Sequence, residues 1–412
     1  MLIQALWLVV VRSLQQHRVA GWITTFSIAL ATALLLTISS LQFQATRVFV
    51  GQSGGFDAVL GARGSPLQLV LSTLYHMESS PGNLAWNSYL TLKKDPQVAA
   101  AVPVALGDNY LGFRIVGTSS EFFSDWGAGL EFATGTPFSM NKPQAVVGSW
   151  AAQKTGLRLG DTFHPYHGLN YDAGAQHSES YQVVGILKPT NSPQDRAIWI
   201  PLEGVYRMSG HVLRGRGTEF TPRPGEAIPE EHQELSGVLV KFKSPQIGMQ
   251  FEQSINREGK VATLAWPVSR VIFELFEKLG WVIQLLQLIT LLVLLVAAAS
   301  VTASLCNTLH ERRRDFAILR ALGAGRGFVS GVVIAESTWL SVLGALWGLL
   351  IHFALLAAVS QWLRARTGIQ FEVLASHPGL LLSPLLVVTL GLASGLLPML
   401  MVYRGSVAPD LT

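Results

Sequence analysis

The residues best suited to chemistry lie in one short run, FHPYHGLNYDAGAQHSES, where His164, His167 and His177 stand among Asp161, Asp172 and Glu179. A His-x-x-His pair followed by a third histidine can offer three imidazole nitrogens to zinc or a similar ion. Histidines in a polar loop are more commonly plain solvated side chains, and the spacing does not separate the two readings. No catalytic constellation accompanies them. The chain has no G-x-S-x-G elbow and no H-E-x-x-H helix, and its single cysteine, Cys306, sits at the end of an apolar run. Enzyme activity of this chain alone is therefore not expected. It also has no G-x-x-x-x-G-K-[ST] loop to cradle nucleotide phosphates, since Gly259-Lys260 lacks both the preceding glycine and the following hydroxyl.

The elements that must carry these residues are set by hydropathy. Of 412 residues, 49% are hydrophobic and 14% charged, a balance unusual for a protein without a membrane phase. Crossing a hydrocarbon core of roughly 30 Å takes about 20 helical residues, and four charge-poor stretches are long enough: 20–43, 279–305, 328–359 and 378–402. Arg12 and Arg18 precede the first, Arg312, Arg313, Arg314, Arg320 and Arg326 link the second to the third, and Arg404 follows the fourth. By the positive-inside rule these segments face the cytoplasm, with both termini inside and residues 44–276 and 360–377 outside. Five arginines in one link outweigh Arg364 and Arg366 in the short outer one. Residues 1–19 read as a helix in the inner interface or as an extension of the first span, which is itself too long for a signal-peptide core and is expected to stay uncleaved. Residues 403–412 form the cytoplasmic tail. A net charge of +4, from 30 basic and 26 acidic side chains, is too small to suggest nucleic acid as a partner.

Between the first two spans the pattern changes to short β-like runs, AAVPVAL, FRIVGT, AVVGSW, YQVVGIL, RAIWIPL and GVLVKFK, punctuated by Gly and Pro. Helical stretches at Leu67 to Tyr75 and Gly148 to Thr155 make this an α+β domain. Leu67, Leu69, Val70, Leu71 and Leu74 belong either to its core or to an amphipathic element near the outer leaflet. Arg214 to Gln233 is polar and proline-bearing, a surface loop.

One span, a large external domain and three clustered spans, with HERRRDFAILRALGAGRGFVSGVVIAES after the second span, resembles the MacB/FtsX-like ABC transporter permeases. TGTPF, QAVVGSWAAQKTGLRLGDTF, YQVVGIL and DRAIWIPL resemble that family's periplasmic core in order and spacing. Read physically, Phe316, Leu319 and Leu322 share one face of a short helix in the 306–327 loop, and Gly323 and Gly325 end it. The resemblance implies that this is the coupling helix, with Glu311, Arg314, Phe316, Leu319, Arg320 and Leu322 contacting an ATPase.

The fold class expected is thus an α-helical permease with four spans in a 1+3 arrangement and a large α+β periplasmic domain, in a bacterial inner membrane. By resemblance its partners are two copies of a separate ABC ATPase that holds ATP and magnesium, a second copy of itself, the lipid membrane, and a periplasmic adaptor, substrate-binding or membrane-fusion protein. The chain itself binds no cofactor, zinc at the histidine loop excepted. Function by resemblance is mechanotransmission that exports or extracts a periplasmic or outer-leaflet substrate. Regulation of a periplasmic cell-wall hydrolase, or a metal-linked sensor or chaperone, are the alternatives. Gly344-x-x-x-Gly348 and Gly391-x-x-x-Gly395 allow close helix packing, between two copies or within one. Glu336, an ionisable group inside the third span, must face protein or water.

Overall fold

The computed structural model describes residues 2–50, 55–124, 130–215, 217–223, 225–259, 261–321 and 323–404. It divides into a helical unit (Met1–Ala45, Leu279–Trp362 and Phe371–Thr412) and a sheet unit (Thr46–Lys278 and Leu363–Gln370).

In the helical unit the four apolar runs are continuous helices, Arg18–Val50, Gly280–Glu311, Arg326–Thr367 and Gly379–Arg404, all long and apolar enough to cross a membrane. A helix closes its backbone hydrogen bonds within itself, which hydrocarbon demands of any spanning segment. The shorter helix Leu2–Gln16 comes first, and His17 alone separates it from the first span. It is docked on the third span. Trp7 meets Trp339 edge-on with ring centroids 4.8 Å apart, and the Ser13 hydroxyl donates to the Glu336 carboxylate at 2.7 Å. Glu336 therefore has a local partner inside the unit.

The second span buries Thr290, Leu294, Ala297, Val301, Leu305 and Thr308, the three-and-four spacing of a single helical stripe. Several of these meet Ile28, Ala31, Val333 and Val387 in an apolar centre, while Leu285, Leu288, Leu292 and Leu295 stay exposed. The glycines are used within one chain. A Cβ on Gly344 would lie 2.5 Å from Ile28 Cγ2, and one on Gly348 would lie 2.5 Å from Thr32 Cβ, so the third span lies against the first. Cβ atoms on Gly391 and Gly395 would collide with Ser341 and Ser337, which brings the fourth span against the third. Small residues let helix backbones approach where no hydrophobic force acts between helices in lipid.

Beside a two-stranded sheet of Leu84–Ala85 and Glu234–Leu235, the sheet unit is built on a large mixed sheet whose main strands order, across it, as Ala262–Ala265, Ala58–Ala62, Gly237–Phe242, Val98–Tyr110, Phe113–Thr118, Ile198–Pro201, Gln144–Val147, Tyr181–Leu187 and Phe132–Gly135. Two neighbouring pairs are parallel, Phe113–Thr118 with Ile198–Pro201 and Gln144–Val147 with Tyr181–Leu187. All six β-like runs of the sequence are strands here. Their alternation feeds two cores: Ile198, Ile200, Val238 and Val240 face one, and Trp199 and Leu239 the other. Trp86–Lys94, Ser149–Thr155 and Leu202–Tyr206 cover the first through Tyr89, Leu92, Ala151 and Val205. Pro66–Thr73 and Val268–Lys278 cover the second through Leu69, Val70, Val271 and Ile272. The apolar run beyond the first span is thus core, with Leu69, Val70 and Leu74 fully buried, and not a lipid-facing element. The fold class is the one expected, four spanning helices with a large mixed α and β domain.

Because Gly348 has no room for a side chain, Gly348→Leu is expected to cost about 1–3 kcal/mol or more through overpacking. Leu350→Ala, at an exposed position of the same helix, is expected to be near neutral. Thermal melting of the two variants in detergent checks this, and equal melting would refute the packing.

Candidate functional site

The histidine run folds as a small hairpin laid on the longest strand. The His167 amide donates to the Ala175 carbonyl at 2.7 Å and the His177 amide to the Pro165 carbonyl at 2.8 Å, around a bridge between Tyr166 and Gln176. With a side-chain period of two, His167 and His177 share one face of this hairpin. Tyr166–His167 in turn pairs antiparallel with Val98–Tyr110, setting Asp108 opposite His167 and Asn109 opposite Tyr166. The register of Val98–Tyr110 slips between Leu106 and Asp108, a bulge at Gly107 of the kind that re-aims the next side chain. Asn109, fully buried, holds the hairpin from its other face: its Nδ2 donates to the Gly168 and Asn170 carbonyls at 2.9 and 3.1 Å.

A fourth side chain arrives from elsewhere. His211 follows the helix Leu202–Tyr206, and its Nδ1 lies 2.7 Å from the Val205 carbonyl. Its Nε2 then lies 3.2 Å from Asp108 Oδ1 and 3.3 Å from His167 Nδ1. His177 Nε2 is also 3.2 Å from Asp108 Oδ1, and His167 Nδ1 is 3.5 Å from it. One ligand atom from each of Asp108, His167, His177 and His211 lies within 4.8 Å of every other. The structure thus brings together two of the three histidines expected to ligate. His164 is not among them: alternation buries Phe163 and Pro165 and leaves His164 outside, its Nδ1 3.0 Å from the Glu179 carbonyl. Asp108 and His211 were not singled out from the sequence, being 103 residues apart with no spacing to link them.

Asp108 is 1% exposed and His167 57%, so the cluster runs from the core to solvent. Burial raises the Asp108 carboxyl, yet hydrogen bonds from His177 and His211 and the charge of those rings outweigh it and hold it below the usual carboxylate range. His211 is the mirror case. Burial lowers it, and the Asp108 carboxylate together with the Val205 carbonyl more than reverses that, so it is raised.

The loop after the second span holds the helix Arg313–Ala321. Among the residues expected to contact a partner, Glu311 ends the preceding helix, exposed and 3.1 Å from His17 Nδ1. Arg314 is exposed, and Leu319 and Arg320 are half-buried. Phe316 is turned into the unit instead: it is 7% exposed, with the buried Arg312 guanidinium 4.9 Å above its ring. Among the described residues of this helix the large apolar side chain offered outward is Ile318, 45% exposed, which the sequence pattern did not pick out. Leu322 lies outside the described residues.

A second polar knot, also not singled out from the sequence, ties the first span to the third and to the segment just before the fourth. Thr37 Oγ1 lies 3.0 Å from His352 Nδ1, and Ser40 Oγ lies 2.6 Å from His377 Nε2.

Residues 288–407 match the FtsX-like permease C-terminal family. The chain is 27% identical over 191 residues to an uncharacterized ABC transporter permease of Methanocaldococcus jannaschii, covering 46% of this chain and 44% of that one. The aligned part thus spans less than half of the relative's length. Similar solved structures include the periplasmic region of MacB from Actinobacillus actinomycetemcomitans, at 14% identity and a TM-score of 0.35, covering 57% of this chain and 98% of that one. The extracellular domain of the noncanonic ABC-type transporter YknZ from Gram-positive bacteria aligns at 15% identity and a TM-score of 0.31, covering 50% and 99%. The resemblance to MacB/FtsX-like ABC transporter permeases is borne out by the FtsX-like permease match over 288–407 and by the permease relative over 191 residues.

Removing the buried Asn109 amide leaves the hairpin carbonyls without donors, a loss of about 1–3 kcal/mol. Asn109→Ala is therefore expected to speed amide exchange at 166–170 and 175–177 selectively. Unchanged exchange there would contradict this anchoring.

Proposed function

We propose that the chain is the permease subunit of an ATP-driven ABC transporter, which receives the work of a separate ATPase at the helix Arg313–Ala321. The observation that supports this most is the two-sidedness of that helix. Phe316 and Ala317 are sunk into the helical unit, and Arg314 and Ile318 are turned outward, all within the stretch that matches the permease family. An ordinary positive-inside loop needs only cations. A helix anchored on one face and open on the other is a rigid lever, with a basic and an apolar residue on its free side.

In this reading Arg12, Arg18, Arg312, Arg314, Arg320 and Arg326 mark the cytoplasmic side, and the sheet unit lies across the membrane in the periplasm. ATP-driven closure of the ATPases pushes the docking helix. Arg313–Ala321 follows the second span after one residue, and the second span follows Val268–Lys278 of the sheet unit after one more, so the chain offers a direct covalent route for that push. Two copies of the chain and two ATPases complete the assembly. The work moves a substrate already outside the cytoplasm, by switching between two conformations of which the ATPase favours one. The chain brings no phosphate-binding loop of its own, so nucleotide is held by the partner.

ATP hydrolysis by the cognate ATPase, reconstituted in nanodiscs with and without this chain, tests the reading. Stimulation by the wild type is expected to be lost in Ile318→Asp and Arg314→Glu while both variants melt like the wild type. Phe316→Asp is expected to lower the melting temperature as well, because it places a charge in a buried site. If no ATPase associates, or the two surface variants stimulate fully, the docking role is wrong.

A further inference from the structure

We propose that Asp108, His167, His177 and His211 bind one divalent ion of the zinc class in a tetrahedral three-histidine, one-carboxylate shell. This does not depend on the docking role of Arg313–Ala321 and would stand without it.

Four of the six separations between the ligand atoms are those of a ligand shell, and those from His177 to the other two rings lie within 4.8 Å. Imidazole nitrogens and carboxylate oxygens bind zinc at about 2.0–2.2 Å, and the tetrahedral angle then puts neighbouring ligand atoms about 3.3–3.5 Å apart. Asp108 Oδ1 lies 3.2, 3.2 and 3.5 Å from the nitrogens of His177, His211 and His167, and the His211 and His167 nitrogens are 3.3 Å apart. The three rings stand at steep angles to one another, 66° to 87°, with centroids 5.2 to 5.4 Å apart. That is the splay of rings converging on a point.

Hydrogen bonding also points to a cation. The Val205 carbonyl only accepts, so the proton of a neutral His211 sits on Nδ1 and the Nε2 lone pair is aimed at the cluster. An outer carbonyl fixing the far nitrogen is the usual companion of a metal-bound imidazole. Asp108 Oδ2 is buried with no partner among the described residues, an acceptor the surrounding side chains leave unsatisfied. Three imidazoles and one carboxylate suit zinc and its tetrahedral relatives. Calcium and magnesium want six or more oxygens.

The shell is closed by four protein ligands with no position left for substrate, the mark of a structural or sensing ion and not of a hydrolytic one. Its ligands come from three separate stretches, the long strand, the 163–177 hairpin and the segment after Leu202–Tyr206, so the ion clasps two surface insertions to the central sheet. His167, the exposed ligand, is the entry side.

The full chain, stripped of metal and held in detergent, is titrated with Co(II) and then competed with Zn(II). One equivalent of Co(II) is expected, with visible bands of tetrahedral intensity that Zn(II) abolishes. His167→Ala, at an exposed position that the fold does not need, is expected to melt like the metal-free wild type yet bind at least about tenfold more weakly, the loss that even outer partners of a ligand produce. His164→Ala is expected to bind as the wild type. The proposal is overturned if the wild type shows no tetrahedral band, if His167→Ala retains full affinity, or if His164→Ala loses as much.

Discussion

A charge or polar group taken out of water has to meet its partners inside the protein, because leaving it alone costs several kcal/mol. That requirement organises both units here. In the helical unit Glu336 sits 5% exposed in the third span, and the hydroxyl of Ser13 supplies its donor. The N-terminal helix is thereby fixed to a span it does not adjoin in sequence. Thr37, Ser40, His352 and His377 do the same elsewhere in the unit. In the sheet unit Asp108 gathers three imidazoles from two insertions. These buried polar contacts work as register marks that tell apolar surfaces where to stop sliding.

Apolar packing supplies the bulk of the stability and polar pairing the alignment. The mixed sheet is apolar on both faces, so helices must cover it twice over, and Trp199 and its neighbours Ile198 and Ile200 go to opposite cores from adjacent positions. In the helical unit, where lipid competes for the same surfaces, contact depends on shape instead. Gly344 and Gly348 let the first span in, and Gly391 and Gly395 accept Ser341 and Ser337. The exposed leucines of the second span are what remains for lipid or another helix.

How much of this could be read beforehand follows from the range of each signal. Period-two alternation and uncharged runs are local, and the spans, the six main strands and the two helices at Pro66–Thr73 and Ser149–Thr155 are where the pattern puts them. The strands Ala58–Ala62, Phe132–Gly135 and Ala262–Ala265 are rich in Ala, Gly and Thr and show no clear apolar alternation, so tertiary pairing defines them. The cluster around Asp108 was legible only in part for the same reason. His167 and His177 are close in sequence, but Asp108 enters through a bulge and His211 through the end of a distant helix. Helical spacing put Phe316 and Leu319 on one face correctly as a matter of periodicity. Which side of that face is outward depends on Arg312 covering the Phe316 ring, and no spacing encodes that.

The proposed docking role rests on the outward face of Arg313–Ala321, where Arg314 and Ile318 are exposed. The most direct measurement is site-specific cross-linking in membranes, with Cys306 replaced by alanine and a single cysteine placed at Ile318. Transfer of the cross-link to an ABC ATPase, in a yield that changes between the nucleotide-free and ATP-bound states, is the predicted result. A cysteine at Ile318 that is protected only by lipid, or that links to no ATPase in either state, would contradict it.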